Sequence, residues 1–331
     1  MPALPDSSPV VRLLKILTVL HLYAADFTLF VAYNLVTKRM YHRFLAAGLL
    51  LTLSSCGIIS PNSSSSDRFS TSPEKFPIQA GQVDEASGMV ASRTMDGRLW
   101  VQEDSGNPAE INLLTTNGKL EKRFPVPGAS NRDWEDLAIG PGPQDGVSYL
   151  YLADIGDNLK QNDVNYIYRF AEPKNTNESV GGVERISFRY SDGARDAEAI
   201  LLDPQTRDLW IVSKAEEKVH LYRLPYPQST SDVIKADYYG EIPLSLITGG
   251  SVSSDGNEIV LISYLGAYHW RRKSGQSVAD ALQKNTYKSL ATDPLGIQSE
   301  AICFDKNSNG YYTLPEKGNQ ASVTLNYYKR L

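Results

Sequence analysis

The chain is short of the residues that nucleophilic enzymes depend on. It has two cysteines, Cys56 and Cys303, and four histidines in 331 residues. His21 and His42 fall in an N-terminal stretch unlike the rest, which leaves His220 and His269 for the main body. Neither can be matched to a Ser and an Asp as a triad, and no G-x-S-x-G segment occurs, so serine hydrolase chemistry finds no support. Cys303 sits in the apolar run "AICF" and reads as a small core residue, not a reactive thiol. With Cys56 set apart, it also has no partner for an internal disulfide. A basic surplus is missing too. The net charge is −5 and no Lys/Arg stripe is present to follow a phosphate backbone, so nucleic acid is not an expected partner. Helical periodicity is almost absent, and only "SGQSVADALQKN" (274–285) looks helical.

Long apolar runs are confined to the N-terminus. From Met40 the chain reads "MYHRFLAAGLLLTLSSCGIIS": a short basic start, an apolar run from Phe44 to Leu53, then Leu53-Ser54-Ser55-Cys56. That order resembles a bacterial lipoprotein signal peptide, which is cut before a Cys that becomes lipidated. Cys56 is then the expected lipidation site, 40–56 the signal peptide, and 57–74, with "PNSSSSDRFSTSP", a Ser-rich tether. The resemblance implies a membrane partner through the lipid and a place in the cell envelope, at the outer membrane or the periplasmic face. Residues 1–39 fit less well, because Lys15, His21 and Asp26 interrupt their apolar stretch. An Asp in the middle of a spanning helix costs about 3 kcal/mol unless paired. Met40 is the expected start, with 1–39 an over-long N-terminus or a membrane segment. Loss of residues 1–56 removes five basic and two acidic side chains and leaves −8 on the exported part, which suits cations better than anions.

Residues 75–331 repeat. Aligned on a carboxylate, the copies begin at Glu85, Glu135, Glu198 and Glu300, with a degenerate copy at Gly249; the spacings are 50, 63, 51 and 51 residues. After each come a short apolar run, a turn rich in Asp, Gly, Pro or Asn, and a second run: "LWVQED", "LYLADI", "LWIVSK", "IVLISY" and "YYTLPE". Third runs follow in every copy and fourth runs in four. Runs this short, rich in Val, Ile, Leu, Tyr and Trp and bounded by turn residues, are strands. Periods near 50 predict an all-β propeller of five four-stranded blades, with room for a sixth in the 63-residue interval. The strand missing after the last third run is supplied by "KFPIQAGQV" (75–83), which closes the ring and removes an exposed edge. A β-sandwich with similar hairpins is the alternative, and it gives no reason for five copies in register.

In a propeller the first strand of each blade lines the channel. Glu85, Glu135, Glu198 and Glu300 would ring one mouth, joined by Asp136 and by Asp104 and Asp154 from second-strand ends. Such crowding calls for counter-ions. Arg132 and Arg195 each lie three residues before a Glu, so one reading is that Arg–Glu pairs tie the blades together. The other is that the ring holds a hard divalent cation, most plausibly Ca²⁺. "DKNSNGYYTLPE" supplies a second, weaker metal candidate in Asp305, Asn307, Asn309 and Glu316, which fit the letters of an EF-hand loop. The flanks are strand-like and not helical, so Asn309-Gly310 reads better as a hairpin turn. "LADIGDN", with Asp154, Asp157 and Asn158, is either a metal-contacting loop or an Asx-type turn.

Taken together, "DWEDLAIGP", "LYLADIGDN", "YRFAEP", "DAEAILLDP" and "SEAICFDKNSNGYYT" resemble a family of secreted bacterial β-propeller proteins, largely uncharacterised. More distantly they resemble the phytase-like and gluconolactonase/senescence-marker propellers. Those enzymes bind Ca²⁺ or another divalent metal in acidic channel mouths and cleave phosphoesters or lactones. The likeness implies Glu85, Glu135, Glu198 and Glu300 as metal positions, and the Gly249 copy departs from it. Two functions follow from different classes. One is a lipid-anchored propeller binding a ligand or protein partner at the envelope; the other is a metal-dependent hydrolase of phosphoesters or lactones, for which no catalytic residue can be named.

Overall fold

In the computed structural model, residues 67–292 and 299–331 are described, and they are all-β, with twenty strands and one short helix. Cys56, the signal peptide and residues 1–66 as a whole lie outside the described residues. Among those described, no helix is long and apolar enough to cross a membrane.

The first strand, β1 (Glu74–Pro77), is set aside by the chain and used last. Four-stranded meanders follow. The first comprises β2 (Ala86–Ala91), β3 (Arg98–Glu103), β4 (Glu110–Thr115) and β5 (Leu120–Pro125). The second is β6 (Trp134–Pro141), β7 (Ser148–Asp154), β8 (Asn165–Ala171) and β9 (Glu184–Tyr190). The third is β10 (Ala197–Leu202), β11 (Leu209–Ser213), β12 (Val219–Leu224) and β13 (Val233–Ile242). In the fourth, β14 (Ile247–Val252), β15 (Glu258–Ser263) and β16 (Gly266–Arg271) are joined through α1 (Val278–Lys284) to β17 (Lys288–Leu290). The last is β18 (Ser299–Phe304), β19 (Gly310–Pro315) and β20 (Thr324–Lys329), whose free edge pairs with β1 from Glu74–Tyr327 to Pro77–Thr324. The 63-residue interval holds the same four strands as the others, lengthened by the loops 155–164 and 172–183.

One departure from independent meanders is visible. The outer strands β9 and β13 hydrogen-bond in parallel, Ser187–Tyr190 against Val233–Ala236, so the second and third meanders form one eight-stranded sheet.

The strands form because their apolar residues have layers to fill on both faces. Five apolar clusters lie between neighbouring meanders, among them Trp100, Phe124 and Trp134 between the first and second, and Trp210 and Trp270 between the third and fourth. A fully buried aromatic of this size removes about 150–250 Å² from water, roughly 4–6 kcal/mol each before entropy is charged against it. The helix α1 is capped by Ser277, which accepts from Asp280 N–H, and its Val278, Ala281 and Leu282 join the Trp270 layer.

The innermost strands β2, β6, β10, β14 and β18 touch one another in turn, β2 meeting both β6 and β18. They run so close that at single positions no side chain fits. A Cβ on Gly88 would stand 2.6 Å from Asp136 Cα, and one on Gly249 would stand 2.5 Å from the carbonyl oxygen of Glu300. Gly88 and Gly249 occupy the position that Asp136 holds in the second copy, and space forbids a side chain at either. At the centre Asp136 is fully buried, and its carboxylate accepts from the N–H groups of Leu137 (2.8 Å), Ile200 (3.0 Å) and Gly250 (3.1 Å), linking three inner strands. It is therefore a tie across the core and not a member of the outer acidic group. Burial pushes its pKa well up, opposed by the three N–H donors.

Candidate functional site

Each inner strand begins with a β-bulge. The register of β2 against β3 slips between Ala86 and Gly88, and the same slip recurs at Trp134/Asp136, Ala197/Ala199, Ile247/Gly249 and Ser299/Ala301. The residues skipped are Ser87, Glu135, Glu198, Thr248 and Glu300. A bulge re-aims a side chain out of the alternating pattern, and here the same device is used five times at one end of the inner strands. The equivalent of Glu135 in the first copy is thus Ser87, not Glu85, and in the fourth copy Thr248, not Gly249. Both hydroxyls reach the next inner strand: Ser87 Oγ donates to Glu135 O and Thr248 Oγ1 to Ser299 O, each at 2.6 Å. Glu85 lies outside this tier, exposed, with its carboxylate on Asn107 Nδ2 at 2.7 Å.

A second tier comes from the residues that follow the second strand of each meander: Asp104, Ile155, Lys214, Tyr264 and Glu316. Four of them join the bulge residues. Lys214 Nζ pairs with Glu198, Tyr264 OH donates to Glu300 Oε1 at 2.9 Å, and Lys214 Nζ lies 5.4 Å from the Tyr264 ring centroid. Asp104 comes together with Glu135 and with Asp133, one carboxylate oxygen from each lying within 4.8 Å of the other two. Gly156 makes that approach possible, since a Cβ there would stand 2.1 Å from Glu135 Oε1 and 2.5 Å from Asp133 Oδ2.

The electrostatics follow from crowding. Burial, then Glu198, Asp104 and Asp133, push the Glu135 carboxyl well above its usual range; burial and Glu300 do the same to Glu198, against the pull of Lys214. Glu300 is pushed up to about 7 by burial and Glu316, and Glu316 to about 7 by burial, Asp104 and Glu85. Burial raises Asp104 and Asp133 as well, with each other and Asp196 as neighbours. Lys214 is raised, because Glu198 outweighs its burial. One ammonium faces six carboxylates, so the group is built to receive positive charge.

Other expected residues lie elsewhere. Asp154 is buried one position before the second tier; it accepts from Asp133 N–H at 2.9 Å, and burial raises it to about 6. It holds the loop that carries Asp133. Asp157 accepts from the N–H groups of Gln161 and Asn162, four and five residues on, so its carboxylate pins the loop after β7, a longer closure than an Asx turn's two residues. Arg132 and Arg195 do not meet the Glu residues they precede. Arg132 donates to Val164 O, Asp154 O and Asn165 Oδ1, and Arg195 bonds Asp192 and Tyr222. Asp305 and Glu316 stand at opposite ends of β19, about 20 Å apart at 3.3 Å per residue, too far to share an ion. Asp305 instead ties its turn, accepting from Asn307 N–H and Asn309 N–H at 2.9 Å and from Tyr327 OH at 2.8 Å. The positive φ in that turn falls on Ser308 (58°), ahead of the expected Asn309-Gly310. Cys303 is buried in β18. His269 is buried against Glu258 at 2.6 Å, and His220 bonds Tyr222 OH on β12, both away from the acidic group.

Asp133 and Lys214 were not singled out from the sequence. The signal for Asp133 was present: Asp133-Trp134-Glu135 and Asp196-Ala197-Glu198 repeat D-x-E, the Asp sitting just outside the strand.

No protein-family model matches the chain, and no curated protein matches it. Solved structures with a likeness include the Dos1 propeller (10% identity, 74% of this chain and 68% of that one, TM-score 0.36) and a nidogen/laminin complex (14%, 72% and 74%, TM-score 0.40). A functionally unknown protein from Desulfotomaculum acetoxidans DSM 771 is similar at 13% identity, over 70% of this chain and 65% of that one, with a TM-score of 0.38. With likenesses this distant, the β-propeller organisation rests on the strand pairing of this chain itself.

Proposed function

We propose that the chain is an exported, lipid-anchored β-propeller that binds a ligand or protein partner at the cell envelope through an acidic, Ca²⁺-holding mouth. Five blades, one per meander, with β1 completing the last, is the reading that the cyclic contacts of the inner strands support. The anchor is Cys56, argued from sequence alone.

The observation that carries the metal reading is the meeting of Asp104, Asp133 and Glu135. Three carboxylates offer only hard oxygen donors, which suit Ca²⁺ over softer metals, and Ca²⁺ tolerates the irregular geometry that loop residues supply. A bound divalent cation would also relieve the repulsion that raises these groups. Leu159 and Leu265, 75% and 72% exposed, stand on loops at the same end of the strands and offer a partner apolar contact beside the charge.

The test is a titration of chelator-treated protein with Ca²⁺ while the melting temperature is followed. At about 100 times Kd a ligand adds about 2.7 kcal/mol, roughly 5–10 °C for a domain of this size. Asp133→Asn and Glu135→Gln should each lose most of that rise. No rise in the parent, or an equal rise in both variants, sinks the metal reading. Hydrolysis of phosphoesters or lactones is the competing use of the same mouth; chelator-sensitive turnover abolished by these substitutions would replace binding with catalysis.

A further inference from the structure

The end of the strands opposite the acidic group has the other sign. β16 starts beside Tyr264 and runs to Arg271, about 20 Å away at 3.3 Å per residue. There Arg271, Lys273, Lys284 and Lys288 line a concavity of about 510 Å³ with Asp67 as its one carboxylate. Asp67 is shared: Arg271 pairs with it, and Lys288 Nζ lies 3.0 Å from it. Lys284 is 69% exposed, with only the i,i+4 partner Asp280 beside it. Exposed pairs of that kind hold charge weakly. On a chain of net charge −5 this is a local surplus of cations.

The same place is where the N-terminal segment reaches the fold. Phe69 bridges Arg330 beyond β20, Ser70 N–H donates to Lys329 O at 2.8 Å, and Leu331 N–H donates to Arg68 O at 2.8 Å. The Arg330 guanidinium covers the Phe69 ring at 4.5 Å. Asp67 is eleven residues after Cys56. Eleven residues span at most about 40 Å. A lipid on Cys56 would therefore join the fold at this face and not at the acidic one.

We infer that the face formed by Lys273, Lys284 and Lys288 around Asp67 docks on anionic phospholipid headgroups of the membrane that holds Cys56. This rests on the anchored reading above. Attraction at this face and repulsion of the carboxylates at the other turn the acidic mouth away from the membrane.

The experiment uses full-length protein carrying Cys56→Ala, floated with vesicles of phosphatidylcholine alone or enriched in phosphatidylglycerol. The leader, with five basic and two acidic side chains, also favours phosphatidylglycerol, so the basic face is read from the difference between the parent and a variant that keeps the leader. Each amine near an anionic surface is worth roughly a fivefold gain. With Asp67 and Asp280 offsetting part of it, about a tenfold preference for phosphatidylglycerol is expected from this face at low salt. That preference should vanish at about 1 M salt, where the Debye length is about 3 Å. It should fall about tenfold, to what the leader alone gives, in Lys273→Glu/Lys284→Glu/Lys288→Glu, or in the matching triple Gln variant if charge reversal impairs folding. Equal binding to both vesicles, or a preference unchanged in the triple variant, overturns the proposal. Loss of the preference to millimolar inorganic phosphate at constant ionic strength overturns the lipid assignment in favour of a free anion. The mass of the mature N-terminus tests the anchor separately: an unmodified Cys56 removes the tether, while a lost vesicle preference removes the docking face.

Discussion

At the scale of single residues, Lys214 decides how the acidic group survives without a bound ion. Its ammonium pairs with Glu198, whose side chain is 3% exposed, and it lowers the charge felt by Asp133, Glu135, Glu300 and Glu316. Removing one partner of a buried pair usually costs about 3–5 kcal/mol, because the other charge is left desolvated. Lys214→Met should therefore lower the unfolding free energy, read by chemical denaturation in ion-free buffer, by an amount in that range, and adding Glu198→Gln should restore most of it. If Lys214→Met is neutral, the pair is not what holds the carboxylates together. The carboxylates Glu135, Glu198 and Glu300 were legible because each heads an apolar run. Lys214 was not, because it lies sixteen residues beyond Glu198 and only the hairpin β10–β11 brings the two together.

At the scale of elements, the bulged start of each inner strand is the unit that builds the site. Those strands can converge only where a side chain is absent. Gly88→Ala would drive a Cβ against the backbone of Asp136, which cannot yield as a side-chain tip could. A loss of more than about 3 kcal/mol is expected, read by chemical denaturation. Gly156→Ala meets carboxylate tips instead, so it should leave the fold largely intact and reduce the Ca²⁺-linked rise in melting temperature. A similar stability loss in both would contradict this division of roles. Strand runs, their fourfold grouping and the use of the N-terminal strand to complete the last meander could all be read from spacing. The bulges could not, because one skipped residue leaves no mark on apolar periodicity; for that reason Glu85 stood in for Ser87 and Gly249 for Thr248.

At the scale of the whole molecule, the crowded carboxylates link stability to pH. Glu300 and Glu316 are raised to about 7 from an ordinary value of 4.5. Between those values the unfolded chain has released protons that the folded protein keeps, so raising the pH favours unfolding. Ion-free protein should thus be most stable below about 4.5 with respect to these two groups and lose stability as the pH climbs to about 7. Carboxylates held low, such as Glu258, where hydrogen bonds from His269 and Arg330 outweigh burial, act with the opposite sign, but only until the unfolded chain has ionised at the lower end of that window. Saturating Ca²⁺ should flatten it, and melting curves across the window with and without the ion check both statements. A flat ion-free profile would show that the carboxylates are not crowded as described. The separation of sign between the two ends of the strands was not legible in the sequence, where Lys273 closes the run Arg271-Arg272-Lys273 while Lys284 and Lys288 come eleven and fifteen residues later and join it only through the turn after β16 and the helix α1.

The seam between β1 and β20 has a mechanical side. Any pull arriving along the N-terminal segment first meets Phe69 clasped by Arg330, then four residue pairs loaded along the strand direction. Bonds sheared together resist better than bonds peeled one after another, so such a pull would strain the last-made sheet as a unit before it reached the acidic end.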